Sequence, residues 1–206
     1  MEHGYYIGTW LWLPLVANMF YQNKALMIIF HFFITYNYMN RLTKEFYNRN
    51  CVTVAKDLIG KTLIFNNISG IITETEAYRG QDDPASHAYC GVTNRNKIMY
   101  DEPGFSYVYL IYGIHHCLNI VTEEKGSPAA VLIRGLKLEN IHLNGPGKLC
   151  NYLNITKEHS GINICTKNNF YIAYTNQTNN KLKIISSPRV GIKKAKDFMW
   201  RFLLEI

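Results

Sequence analysis

Glu74, Glu76 and Tyr78 recur at every second position of Thr73-Glu74-Thr75-Glu76-Ala77-Tyr78, directly after the apolar pair Ile71-Ile72. On a strand, where successive side chains point to opposite faces, all three share one face. Carboxylates beside an aromatic ring make a poor core and suit acid–base chemistry in a cleft. Taken singly, each glutamate also fits a solvated edge strand. A second stretch, residues 106–121, holds two aromatic-rich, β-prone runs that meet at Tyr112-Gly113. Glycine there can supply the positive φ of a tight turn, so the spacing predicts a β-hairpin with Tyr112 at or beside its tip. Tyr107, Tyr109 and Ile111 fall on one face of its first strand, and Val108, Leu110 and Tyr112 on the other. Tyr107 reads as interior packing. A large ring at a hairpin tip instead suits a wedge that enters stacked bases. Further on, the apolar run 129–133 is followed by Arg134, a placement that calls for a carboxylate or phosphate partner.

These residues need elements to hold them. Thr43 is placed to cap a short helix, and residues 52–59 read as a second helix closed by Gly60. Residues 61–65 and the run from Ile71 onward form a hairpin around Asn66-Asn67, and this hairpin delivers Glu76. Asp82-Asp83-Pro84 interrupts the chain and predicts a short helix that carries His87; a buried structural histidine is the alternative. Asn94-Arg95-Asn96-Lys97 reads as a polar, basic loop for phosphate contact. Gly145-Pro146-Gly147-Lys148 lacks the glycine spacing and the Ser/Thr of a P-loop. It is similar to a helix-hairpin-helix turn, but a strand-like run precedes it. Pro146 therefore opens a helix whose first amides can hold a phosphate. Residues 170–174 and 181–185 read as strands, 189–196 as a basic segment and 198–202 as an aromatic one. The expected fold is α+β: a single compact domain with a curved, mostly antiparallel sheet, short helices and a protruding β-hairpin.

With 206 residues and a formal net charge of +7, the chain can bury one sizeable core and favours an anionic partner. The five cysteines, Cys51, Cys90, Cys117, Cys150 and Cys165, are scattered and odd in number. That argues against a disulfide framework and for a reducing compartment. In His115-His116-Cys117, neighbours on a strand point to opposite faces and cannot converge on one ion, so no metal is expected. Residues 1–40 are apolar and aromatic, with Glu2 and Lys24 their only acidic and basic residues besides histidine. Pro14 and Tyr21-Gln22-Asn23-Lys24 divide the tract into runs shorter than the roughly 20 residues a spanning helix needs. A membrane anchor, a segment packed on the domain and a mis-assigned start compete, and the preferred reading starts the protein at Met39. Residues 41–206 then form the functional domain.

Glu74-Thr75-Glu76-Ala77-Tyr78, then His87, Tyr107-Val108-Tyr109-Leu110-Ile111-Tyr112-Gly113, Cys117, Asn119 and Arg134 follow an ordered pattern. It continues through 145–150 and Ser187-Pro188-Arg189-Val190-Gly191-Ile192. In this order and spacing the chain resembles the 3-methyladenine (alkyladenine-type) DNA glycosylases from about residue 41 to its end. The link from Arg134 to Gly145 looks shorter than the family's.

The resemblance implies roles for individual residues. Glu76 would be the catalytic carboxylate, with Arg134 as its partner beside the attacking water, and Glu74 would be structural. Tyr78, His87 and Tyr109 would wall the slot for an extruded base, and Asn119 would discriminate against guanine. Tyr112 would intercalate into duplex DNA. Arg134 is expected to keep Glu76 ionised. The implied protein is a monomeric, monofunctional hydrolase without cofactor, working on damaged purines in double-stranded DNA inside the cell. The alternative is a nucleic-acid-binding module of the same fold that has lost catalysis.

Overall fold

The structure, a computed structural model, describes residues 40–175 and 182–205. The expectations for residues 1–39, the Met39 start and the membrane contact among them, lie outside the described residues. Among the described residues, no helix is long and apolar enough to cross a membrane.

The longest strand carries the glutamates. β1 (Thr62–Phe65) turns at Asn66, whose φ is +52°, into β2 (Ile68–Arg79). β3 (Ser106–Ile111) and β4 (His115–Val121) form the hairpin expected around Tyr112. β5 (Ala129–Lys137) lies between β4 and β2, and β6 (His142–Asn144) folds back on its end. β7 (Phe170–Ala173) extends the sheet beyond β1. β8 (Ile184–Ser187) pairs with β9 (Arg201–Leu204), and β9 pairs with β2 at Glu74–Glu76. All pairings are antiparallel, so the described residues have the expected α+β architecture around one mixed-length curved sheet. Only the end of the aromatic run enters a strand: β9 begins at Arg201, where the sequence pattern predicts none.

Among the described residues, three α-helices complete the layer behind the sheet: α1 (Lys44–Tyr47), α2 (Cys51–Asp57) and α3 (Pro146–Leu153). Asn50 caps α2 by accepting from the amides of Val52 and Thr53. Thr43 stands at the N-cap of α1 without a side-chain cap bond. α2 ends at Asp57 with Leu58 as its C-cap, two residues short of the expected end, and Gly60, at φ +81°, closes the turn that follows. Pro146 takes the first turn of α3, where a missing N–H costs nothing.

One face of the sheet buries Ala77, Val108, Leu118, Ile120, Val131 and Ile133 against Val54, Leu58, Leu149 and Leu153 of the helices. Strand alternation then leaves the opposite face to Glu74, Glu76, Tyr78, Tyr107, Tyr109, Asn119 and Leu132. Register places Glu76 opposite Leu132, Leu132 opposite Asn119, and Asn119 opposite Tyr107, so one row crosses four strands.

Arg134 sits where that register breaks. Glu74 pairs with Gly135 and Thr75 with Ile133, which leaves Arg134 and Thr73 without a Cα partner between β2 and β5. Such irregularities re-aim side chains beside sites. The carbonyl of Arg134 accepts from the Gly145 amide at 2.8 Å, tying the bulge to the start of α3. Gly135 is required here: a Cβ would lie 2.5 Å from Thr73 Oγ1 and 2.8 Å from Glu74 Cβ.

The helix expected to carry His87 does not form; residues 84–90 run through successive turns. The Asp83 carboxylate accepts from the amides of Arg79 and Ala85 and holds this local geometry.

Candidate active site

A cleft of about 740 Å³ opens on the polar face of the sheet. Tyr78, His87, Tyr109, Tyr112, Asn119 and Arg134 all contribute to its wall. Glu76 does not: it is fully buried one layer behind, and three cleft-lining residues reach it. Tyr78 Oη donates to Glu76 Oε2 at 2.8 Å, the Val190 amide donates to Oε1 at 2.7 Å, and Arg134 Nε lies 3.4 Å from Oε1.

Burial raises the pKa of the Glu76 carboxyl above the ordinary glutamate value, and the Glu74 charge adds to this. Arg134, the Val190 amide and the Tyr78 hydroxyl pull the other way. The net direction is up. Arg134 favours the ionised form, as expected of an opposite charge, and desolvation of the buried carboxylate is the larger influence. Arg134 also has a nearer partner than expected, since its Nε donates to Glu74 Oε1 at 2.8 Å.

The aromatic wall is built by the hairpin and the turns after β2. His87 Nδ1 lies 3.0 Å from Tyr107 Oη, and its ring meets Tyr109 edge to face with centroids 4.6 Å apart. Tyr107 is buried, as the sequence implied, and burial pushes its phenol up to about 12. Burial, and then the Arg95 charge, lower the His87 pKa, which favours the neutral imidazole. Asn119 is buried, and both of its amide hydrogens are directed at backbone carbonyls, those of Tyr107 at 3.1 Å and Cys117 at 3.2 Å. Its Oδ1 is the polar atom left to offer the cleft.

Tyr112 stands at the hairpin turn with φ +53° and 82% exposure. The turn uses positive φ at both Tyr112 and Gly113, and the Ile114 amide donates to the Ile111 carbonyl at 3.3 Å. Arg95 supports the hairpin from the side. Its Nη2 donates to the Leu110 carbonyl at 3.1 Å and its guanidinium lies 4.9 Å from the Tyr109 ring centre.

Within the loop read as a phosphate contact, Asn96 proves to be structural. It is buried, its Oδ1 accepts from the Thr93 amide, and its Nδ2 donates to the carbonyls of His87 and Gly91. It thereby fixes the backbone that presents His87.

Sequence reasoning missed the contribution of the last quarter of the chain. Arg189 and Asp83 form a bidentate pair, Nη1–Oδ2 2.5 Å and Nη2–Oδ1 2.7 Å, with neither side chain exposed. Arg189 also donates to the Ala77 carbonyl, and its guanidinium lies 4.7 Å from the Tyr78 ring centre. Residues 190–194 then line the cleft, adding Lys193 and Lys194 to Arg134 and Lys148 as cations around it. The only signal for this was the short stretch 187–192, which carries no spacing that ties it to Asp83 or Glu76.

A curved antiparallel sheet thus presents a buried carboxylate, a bulge-aimed arginine and an aromatic cleft beside an exposed hairpin tyrosine. The family model described as methylpurine-DNA glycosylase (MPG) matches residues 45–205. A protein of Ehrlichia chaffeensis (strain ATCC CRL-10679 / Arkansas), named "Putative 3-methyladenine DNA glycosylase", is 54% identical over 168 residues, 79% of this chain and 92% of that protein. Proteins of the same name from Ehrlichia ruminantium (strain Welgevonden) and Wolbachia pipientis subsp. Culex pipiens (strain wPip) are 51% and 53% identical. The first match covers 80% of this chain and 89% of that protein; the second covers 78% and 88%. The chain belongs to the methylpurine-DNA glycosylase family.

Proposed function

We propose that this protein is a monofunctional DNA glycosylase that extrudes alkylated or deaminated purines from duplex DNA and hydrolyses their N-glycosidic bond, the opening step of base excision repair inside the cell. The observation that carries this reading is the buried Glu76 carboxylate, held by Tyr78, Val190 and Arg134 directly behind an aromatic cleft. Glu76 polarises the attacking water and stabilises the oxocarbenium-like sugar. Arg134 supplies the neighbouring positive charge. Tyr78, His87 and Tyr109 form the stacking walls, worth roughly 1–3 kcal/mol per stacked base. N-alkylated purines are cationic, which suits such walls and makes the base a good leaving group. Asn119 reads the purine edge. The amides at the start of α3, with Lys148, Lys193 and Lys194, offer contacts to the phosphate backbone. No amine nucleophile enters this scheme, and the protein acts as a monomer.

The deciding experiment is release of base from duplexes bearing 3-methyladenine, 7-methylguanine, hypoxanthine or etheno-adenine. Release of at least one, lost on substitution of Glu76, supports the reading. Tight duplex binding with no release from any of them favours the silent binding module.

Two further results are expected. Tyr112 is exposed and packs on little, so Tyr112→Ser leaves the melting temperature unchanged. Loss of the wedge removes what offsets unstacking, and excision from duplex DNA falls roughly 10- to 100-fold. Excision from a single-stranded lesion, which needs no wedge, falls much less. Comparing the two substrates checks this.

The second concerns pH. Excision requires ionised Glu76, whose folded pKa is raised above its ordinary 4.5, so the acid limb of the rate profile has its midpoint above 4.5. The stability consequence has a definite sign. With the folded value the higher, the contribution of Glu76 to stability is complete below 4.5 and is lost as the pH rises through the folded value. Paired rate and melting profiles over this window test both.

A further inference from the structure

Glu74 shares its strand face with Glu76, and its surroundings make it more than a spectator. A single oxygen, Glu74 Oε1, accepts from Arg134 Nε at 2.8 Å and from Arg201 Nε at 2.6 Å. Arg134 Nε is also 3.4 Å from Glu76 Oε1. One N–H thus faces two carboxylates, and the shorter, better bond goes to Glu74. Arg201 comes from β9, where pairing sets it opposite Glu76 and lets its side chain reach diagonally to Glu74. The four side chains are 0%, 13%, 14% and 24% exposed for Glu76, Glu74, Arg134 and Arg201. Two negative and two positive charges are therefore balanced in a nearly dry group, where an unpaired charge is costly.

The geometry points to Glu74 and Arg201 as positioning residues: Glu74 fixes Arg134 through its Nε–H, and Arg201 supplies the second cation that allows two neighbouring carboxylates to stand beside one arginine. This rests on the reading of Glu76 as the catalytic carboxylate. Without Arg201, Glu74 and Glu76 compete for Arg134 alone, and two like charges in one site favour retention of a proton. Without the Glu74 charge, Glu76 keeps Arg134 to itself and loses a repelling neighbour. The two substitutions therefore act on Glu76 in opposite directions. The other groups facing Glu76 stay constant: Tyr78 on β2, the Cys117 thiol on β4 and the Val190 amide.

The test uses full-length protein and a duplex carrying 7-methylguanine, whose cationic ring needs no added proton, so that the acid limb reports the enzyme. Single-turnover release is followed across pH with duplex affinity and melting temperature measured in parallel. Arg201→Met is expected to move the acid midpoint up by roughly one pH unit, and Glu74→Gln to move it down by a similar amount. The double variant returns it near the wild-type position, and Arg201→Lys, which keeps the charge, leaves it in place. A purely structural role would lower the melting temperature and the rate at all pH values without moving the midpoints apart. Coincident midpoints, or midpoints that move the same way in both single variants, overturn the proposal. Should Arg201→Met fail to fold, Glu74→Gln and the charge-balanced double variant still decide it. If wild type releases no base, or Glu76→Gln retains the wild-type rate and limb, the assignment of Glu76 itself fails, an outcome distinct from unmoved midpoints in an active enzyme.

Discussion

Replacing Glu76 with glutamine is expected to lower the rate of base release by roughly 10²- to 10⁴-fold, the range set by loss of a positioned general base. Duplex binding and fold are expected to survive. Glutamine is isosteric, and its arrangement in this pocket follows from the donors around it. The Val190 amide and Arg134 can only donate, so the amide oxygen must take the place of Oε1. The amide nitrogen then faces Tyr78 Oη, which can turn from donor to acceptor. All three contacts persist, and Arg134 keeps Glu74 as its counter-charge. Removing a carboxylate whose burial opposes ionisation also relieves desolvation, so the melting temperature should hold or rise slightly near neutral pH. Single-turnover excision beside duplex affinity and a thermal melt reads all of this at once. A variant that excises at the wild-type rate would remove Glu76 from the mechanism. A variant that no longer binds would mean that the carboxylate shapes the cleft.

Local pattern explains which parts of this arrangement could be read in advance. The alternation of Glu74, Glu76 and Tyr78 and the Tyr112-Gly113 turn are period-two and turn-residue signals, and both appear where expected. Pro146 marks a helix start for an equally local reason. What stayed hidden depends on partners far along the chain. Asp83 looked like a chain breaker and Arg189 like one more cation in a basic tail, because nothing in either neighbourhood announces a bond across 106 positions. The strand at 201–204 has an edge to fill beside β2, but four residues without a period-two alternation do not say so. The bulge at Arg134 is a property of two strands together, so a reading of β5 by itself cannot contain it. Asn96 illustrates the reverse error: a polar residue in a basic loop looked available to solvent, and its three backbone bonds hold it inside.

The buried pair behind Tyr78 leads to the largest expected stability effect. Asp83→Ala leaves the Arg189 guanidinium fully enclosed without its counter-charge, which should cost about 3–5 kcal/mol. For a domain of this size that corresponds to a fall in melting temperature of roughly 10–15 °C. Asp83 also accepts from the Arg79 and Ala85 amides, so the turns that carry His87 loosen together with the pair. Arg189→Met should cost less, because the carboxylate left behind retains those two amide donors and the methionine stem still packs between Tyr78 and Trp200. The double variant should melt above Asp83→Ala, since two apolar side chains leave no orphaned charge. Its excision rate should nevertheless stay depressed, because Arg189 holds the segment whose next residue, Val190, donates to Glu76. Thermal melts of the three variants with excision rates taken well below each midpoint separate the two roles. Recovery of rate alongside stability in the double variant would show that the pair serves the fold alone. Recovery of stability without rate would place Arg189 among the groups that aim Glu76.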